Sequence, residues 1–310
     1  MNSALTSSGP NRAMGHEVRS PLDLRAVICT SACLLAAFLW LYQPTLSWLV
    51  GVWRTDEYYS HGPLLPLISL YLIWQQRAAL RATWDTAPAV RRGPLLLLLS
   101  GLGVQFLATL VDVNFLKALS IPVVLLGMVY FVAGAAFARP LRFPLLYLAL
   151  GVPLSGLMLQ RLCVPMQNNA ASWAGLGLGL LGIPLQRDGV NIHTSHYHFV
   201  VDVPCSGLNT AITLVTIAVL IVHLLPNLSN LQRCLLCLLS VPIALLANTL
   251  RIITIVVIGH SVGIAAAEGF LHNFSGVFMF GISLGMLIGL GHLLKGSAAS
   301  LPVATQGAAT

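Results

Sequence analysis

Apolar runs of about twenty residues follow one another along this chain, broken only by short polar stretches. An α-helix needs about 20 such residues to cross the hydrocarbon core of a bilayer. Inside lipid the backbone N–H and C=O groups find no water, so a helix must satisfy them internally. The runs predict an all-α fold, a polytopic transmembrane helical bundle. Composition agrees. Of the 310 residues, 57% are hydrophobic and 8% charged, against about 25% charged in a soluble domain. So little charge cannot cover a water-exposed surface, and the runs leave no room for a separate soluble domain.

Eight spans are expected, at about residues 26–50, 62–74, 94–111, 115–137, 143–160, 205–224, 234–258 and 270–294. The second is short and borrows its interfacial ends. Residues 1–25 read as a polar cytoplasmic tail, 26–295 as one transmembrane domain and 296–310 as a polar C-terminal tail. No cleavable signal peptide is expected, because the first run is long and lacks a convincing small-residue cleavage site. Residues 163–184 are glycine-rich and amphiphilic, and fit an interfacial helix, a re-entrant segment or a full span. Residues 186–204 partly alternate β-branched and aromatic side chains with polar ones, which predicts a short extracytoplasmic hairpin or extended loop before the sixth span.

Charge sets the expected orientation. The net charge is +7, and positive loops stay on the cytoplasmic side. With both ends inside and 163–184 not crossing, the basic loops at 75–93, 138–142 and 225–233, and Lys295, all fall inside. The loops with Asp56, Glu57, Asp112 and Glu268 then fall outside. If 163–184 crossed, Arg233 and Lys295 would face outward. Nucleic-acid binding is not expected, because the basic residues sit in short loops without interleaved aromatics.

Three places interrupt the apolar pattern with reactive or charged groups. Cys205 lies in VPCSG at the start of the sixth span, where free N–H groups and the helix dipole favour a thiolate. A packed structural cysteine fits the same position. Arg251 lies within the seventh span. A charge there costs roughly 2.5–3.5 kcal/mol on insertion scales, and such residues usually serve a function, although an arginine can also snorkel to the interface. It lies 17 residues after Cys234, or about 25 Å along a helix, near the outer surface. His272, with Glu268 in AEGFLHNFSG, marks the outer start of the last span, where an interfacial histidine is the plainer reading. Together the three place a thiol, a fixed cation and a base in one leaflet, the parts needed for acyl transfer.

Weaker candidates surround them. His61 and Tyr59 close the first outer loop and could line the site, as could Ser206. Asn248, three residues before Arg251, shares its helix face and could orient it. His193, His196 and His198 have a spacing that could hold a metal, but an exposed strand explains it better. Cys234 and Cys237 form a CxxC without a second pair or a nearby histidine, so neither a zinc site nor a redox site is expected.

PCSG at 204–207, NTLRI at 248–252, EGFLHNFSG at 268–276 and YYSHGPLLPLISLYLIW at 58–74 together resemble the exosortase/archaeosortase family of membrane cysteine transpeptidases, over about residues 50–295. The resemblance implies Cys205, Arg251 and His272 as the catalytic set, and the histidine favours the bacterial side of the family. It implies no cofactor and no metal. It also implies a bacterial inner-membrane location with the site at the periplasmic face. The implied substrates are proteins with a C-terminal PEP-CTERM sorting signal: a Pro-Glu-Pro-like motif, a transmembrane helix and a basic cluster. The competing expectation is a non-enzymatic transporter or lipid carrier with Arg251 as its anion site.

Overall fold

A computed structural model describes residues 24–84, 92–194, 198–200, 206–225 and 227–299. The expected polar tails lie largely outside the described residues. The chain divides into a unit ending at Tyr42 and a second from Gln43 onward. The first holds the N-terminal part of α1 (Leu24–Thr55), where the rings of Phe38 and Tyr42 pack 4.6 Å apart. The second unit holds every residue proposed for the site.

The fold is helical and membrane-type. Among the described residues, five helices are long and apolar enough to cross a membrane: Arg25–Thr55, Gly93–Leu110, Asn114–Gly151, Asn230–Ser261 and Ser275–Lys295. This is fewer than the eight expected. Leu208–Leu224 is apolar but shorter, as is α2 (Leu64–Gln75, 12 residues). Leu67, Leu70, Tyr71 and Trp74 of α2 are exposed. A short amphipathic helix, α3 (Arg77–Trp84), follows α2 and carries Arg77 and Arg81. Leu96, Leu99, Phe106 and Leu107 of α4 (Arg92–Leu110) are exposed like the residues of α2. Apolar faces of this size fit lipid contact.

The expected fourth and fifth spans are joined differently. α5 (Asn114–Tyr147) runs through Arg139 and Arg142 without a loop and bends at Gly134, whose φ of 77° is left-handed. Glycine takes that conformation without steric cost. The helix tightens into a 3₁₀ turn, Leu148–Gly151, and stops at Val152, which is extended at φ −80° and ψ 121°. Pro153 causes this by disfavouring the helical region for the residue before it. Ser155 then caps α6 (Gly156–Leu180) by accepting from the Met158 N–H at 3.4 Å. α6 therefore takes in both the end of the expected fifth span and most of the amphiphilic stretch after it.

Residues after α6 form a three-stranded antiparallel sheet, β1 (Leu185–Asp188), β2 (Asn191–Thr194) and β3 (His198–Val200). The expected hairpin thus gains a third strand. Ile192 opposes Phe199, and both are buried. They pack with Ala170, Ala171, Ala174 and Leu178 of α6. Ile252, Ile255 and Val256 complete this core from a long helix later in the chain, Asn230–Ser261. The alanines leave room for the sheet and that helix to approach α6.

A second core joins α7 (Leu208–Leu224), α8 (Asn230–Ser261) and the last helix, Ser275–Ala299, through Leu214, Ala218, Leu236, Ala244 and Leu287. The short helix α9 (Ile264–Asn273) links α8 to this last helix, α10. At the other end Ser229 and Gln232 form a reciprocal cap on α8. The Gln232 side-chain amide also donates to the Leu294 carbonyl of α10 at 2.7 Å. α8 thus begins where α10 ends.

Candidate active site

The loop between α1 and α2 is held rigidly. Asp56 caps its 3₁₀ turn by accepting from the Tyr58 N–H at 2.9 Å. Trp53 Nε1 donates to the Gly151 carbonyl at 2.8 Å. Gly62 lies flat against that indole: a Cβ on Gly62 would come within 2.2 Å of Trp53 Cδ1. Tyr59 is almost wholly buried, and its hydroxyl accepts from the Leu154 N–H at 2.8 Å.

This loop meets the start of α7. The Tyr58 hydroxyl lies 3.6 Å from the buried Cys163 Sγ of α6. Burial, reinforced by Cys163, pushes the Tyr58 phenol well above its ordinary range. Ser206 is buried and accepts from the Leu208 N–H at 3.2 Å. Gly207, the residue before α7, has φ 77° and ψ 0°. A Cβ there would meet the Asn248 Cβ at 2.9 Å. Glycine is thus required twice at this turn, for its left-handed backbone and for the close approach of α8.

Cys205 lies outside the described residues, immediately before Ser206. Asn248 is buried against the Gly207 turn. One helical turn on, Arg251 is half-buried, and its Nε donates to the buried Ser275 Oγ at 3.0 Å, at the start of α10. His272 lies on α9, three residues before Ser275; its side chain lies outside what is described.

Arg251 and His61 line one cavity of about 690 Å³. Its wall also includes Ser60, Tyr147, Asn209 and Thr213, with apolar side chains from α2 and α10. Glu268, on α9, is exposed and does not line this cavity. His61 Nδ1 lies 3.2 Å from Thr213 Oγ1, and burial holds the imidazole below its ordinary pKa. Across α7 a second cavity, of about 490 Å³, is almost entirely apolar and is lined by Tyr59, Val152, Leu154, Leu208 and Ala211. Sequence reasoning assigned no role to Tyr58, Tyr147, Cys163, Thr213 or Ser275. Tyr58 and Ser275 fall within the motifs that carry the family resemblance; the other three carried no signal.

His193 is exposed, while His196 and the His198 side chain lie outside what is described. Among the described residues no cluster of three or more histidine, cysteine or acidic residues could hold a metal ion.

The model of one protein family, described as Transmembrane exosortase, matches residues 53–289. The chain belongs to the transmembrane exosortase family. No curated protein and no solved structure matches it. The family match begins at Trp53, the indole on which Gly62 rests. It takes in the start of α7, Arg251 and Ser275. The exosortase family fits, in general terms, a membrane-embedded sorting transpeptidase.

Proposed function

We propose that the chain is a membrane-embedded cysteine protease/transpeptidase. It cleaves, and transfers, proteins bearing a C-terminal PEP-CTERM-type sorting signal at the outer face of a bacterial cytoplasmic membrane. The Cys205 thiolate attacks the scissile carbonyl. Arg251 stabilises the oxyanion or orients the thiolate. His272 takes the thiol proton and returns it to the leaving amine. The C–N bond breaks, a thioester forms on Cys205, and an acceptor nucleophile then displaces the sulfur. The substrate's transmembrane tail lies alongside the helices.

One observation carries this reading within the family frame. Arg251, fixed by Ser275, shares a cavity wall with Asn209, which follows Cys205 by four residues. A cation beside the start of α7 suits a developing negative charge there, because oriented donors at such a point lower the barrier to acyl transfer.

The test is substitution of the cysteines. Cys205→Ala abolishes processing while the protein still inserts and accumulates. Replacing Cys29, Cys33, Cys234 or Cys237 leaves processing largely intact. Cleavage of a sorting-signal reporter by Cys205→Ala at near wild-type rate sinks the mechanism.

A further inference from the structure

Four exposed arginines converge where α3 meets α5. α3 follows α2 directly and carries Arg77 and Arg81, a spacing that puts two side chains on one helix face. The Arg77 guanidinium lies 4.2 Å from the centre of a Trp74 ring, and its Nη1 donates to the Trp74 carbonyl at 3.1 Å. α5 supplies the other pair. Tyr130 and Arg142 are twelve residues apart, about 18 Å along a straight helix. Yet the Arg142 guanidinium lies 5.6 Å from the centre of the Tyr130 ring, and its Nε donates to the Tyr130 hydroxyl. The bend at Gly134 therefore folds α5 back on itself, with Arg139 and Arg142 just past the fold. Leu80 of α3, and Tyr130 and Phe137 of α5, pack against the same buried cluster of Leu126, Leu141 and Leu145. That shared core holds the helix with one arginine pair against the fold with the other.

Among the described residues the one salt bridge joins Lys117 and Asp112, so no described carboxylate neutralises these arginines. A guanidinium laid on an aromatic ring still carries donors at its edge, in a planar fork that matches phosphate oxygens. Beside the cluster, Leu67, Leu70, Tyr71 and Trp74 are exposed on α2, at the spacing of one helix face. A soluble phosphate would meet the arginines alone. An amphiphile with a phosphate head and acyl chains meets both surfaces. On the orientation that the charges predict, this end is cytoplasmic, and that leaflet carries anionic lipid.

We propose that Arg77, Arg81, Arg139 and Arg142 bind the head group of an anionic phospholipid whose acyl chains lie along Leu67, Leu70 and Tyr71 of α2. A head group held there ties α3 to the fold of α5. None of the four arginines lines the cavity of Arg251, so the site does not depend on the cleavage chemistry.

The test is lipid binding to the purified full-length protein, stripped of lipid in a neutral detergent. Phosphatidylglycerol, phosphatidylcholine and glycerol 3-phosphate are titrated in turn, and bound molecules are counted by native mass spectrometry. Phosphatidylglycerol is expected to bind more tightly than the other two. Arg77→Gln/Arg142→Gln removes one arginine from each pair and should weaken phosphatidylglycerol about thirty-fold, from the usual contribution of two arginines near anionic lipid. Arg81→Gln/Arg139→Gln should lose as much while leaving the Trp74 and Tyr130 contacts in place. Arg233→Gln/Lys295→Gln removes the same charge from the same expected side and should leave binding unchanged. Phosphatidylcholine binding as tightly as phosphatidylglycerol overturns the proposal. So does unchanged affinity in both arginine pairs, or an equal loss in Arg233→Gln/Lys295→Gln, which would mean net charge without a site. Glycerol 3-phosphate competing as well as the lipid would put a soluble phosphate there and overturn the lipid assignment.

Discussion

Arg251 commits Nε to Ser275, and that bond sets the plane of the guanidinium. Arg251 lines the cavity, and a guanidinium carries its remaining donors in a fixed planar fork. A lysine is a compact point charge and cannot hold Ser275 and keep such a fork at once. If the fork meets an oxyanion, Arg251→Lys retains the charge and still loses about 10²–10³ in rate, as when one oxyanion-hole donor is removed. Arg251→Gln does no better. Both are checked by reporter processing at matched membrane abundance. Near-normal processing in both variants would take Arg251 out of the mechanism. Arg251 was legible in the sequence because a charge inside an apolar run is expensive and therefore conspicuous. Ser275 was not, because a serine at a helix start does not reveal a partner 24 residues earlier. His61 was only half legible: YYSHG drew attention to it, but its contact with Thr213 depends on how α7 packs against the loop.

α4 and α5 pack closely through glycine. A Cβ at Gly127 would lie 2.8 Å from Leu98 Cα, and one at Gly101 would lie 2.7 Å from a Val124 methyl. Small residues allow backbones to approach in membranes, where packing replaces the hydrophobic drive for helix association. At Gly127 the neighbour is backbone and cannot swing aside. Gly127→Val should therefore part the two helices and lower the unfolding temperature in detergent. Gly103→Ala, with open space around its added methyl, should leave it unchanged. The long apolar helices were readable from run length alone. The joins were not. A basic patch at Arg139 and Arg142 reads as a loop, yet Gly134 lets α5 bend and continue through it. The true break lies at Val152, where one proline sets the conformation of its neighbour. The sheet was half legible: alternation marked the hairpin, but the register of a third strand depends on Ile192 and Phe199 meeting the alanines of α6.

Across the whole molecule, two adjacent tyrosines tie the loop before α2 to the start of α6: Tyr59 accepts from Leu154, and Tyr58 lies beside Cys163. The orientation expected from the charges has α6 and the sheet make no net crossing, so that every basic loop falls on one side. A membrane-impermeant thiol reagent should therefore label cysteines introduced at Asp56, Asn191 and Ala266 from outside, and should not label those at Arg142 or Asn230. Labelling at Asn230 but not at Asp56 would reverse the later half of the chain. At the opposite end, Gln232 joins the cap of α8 to the Leu294 carbonyl in the last part of α10. A bilayer receives this protein from its N-terminus onward. The Ser229–Gln232 cap can form as soon as α8 emerges, but the bond to Leu294 spans 62 residues and must wait for α10 to arrive. The clasp therefore closes last: a chain that stops short of Leu294 lacks the acceptor for Gln232 and leaves that end of α8 unlatched.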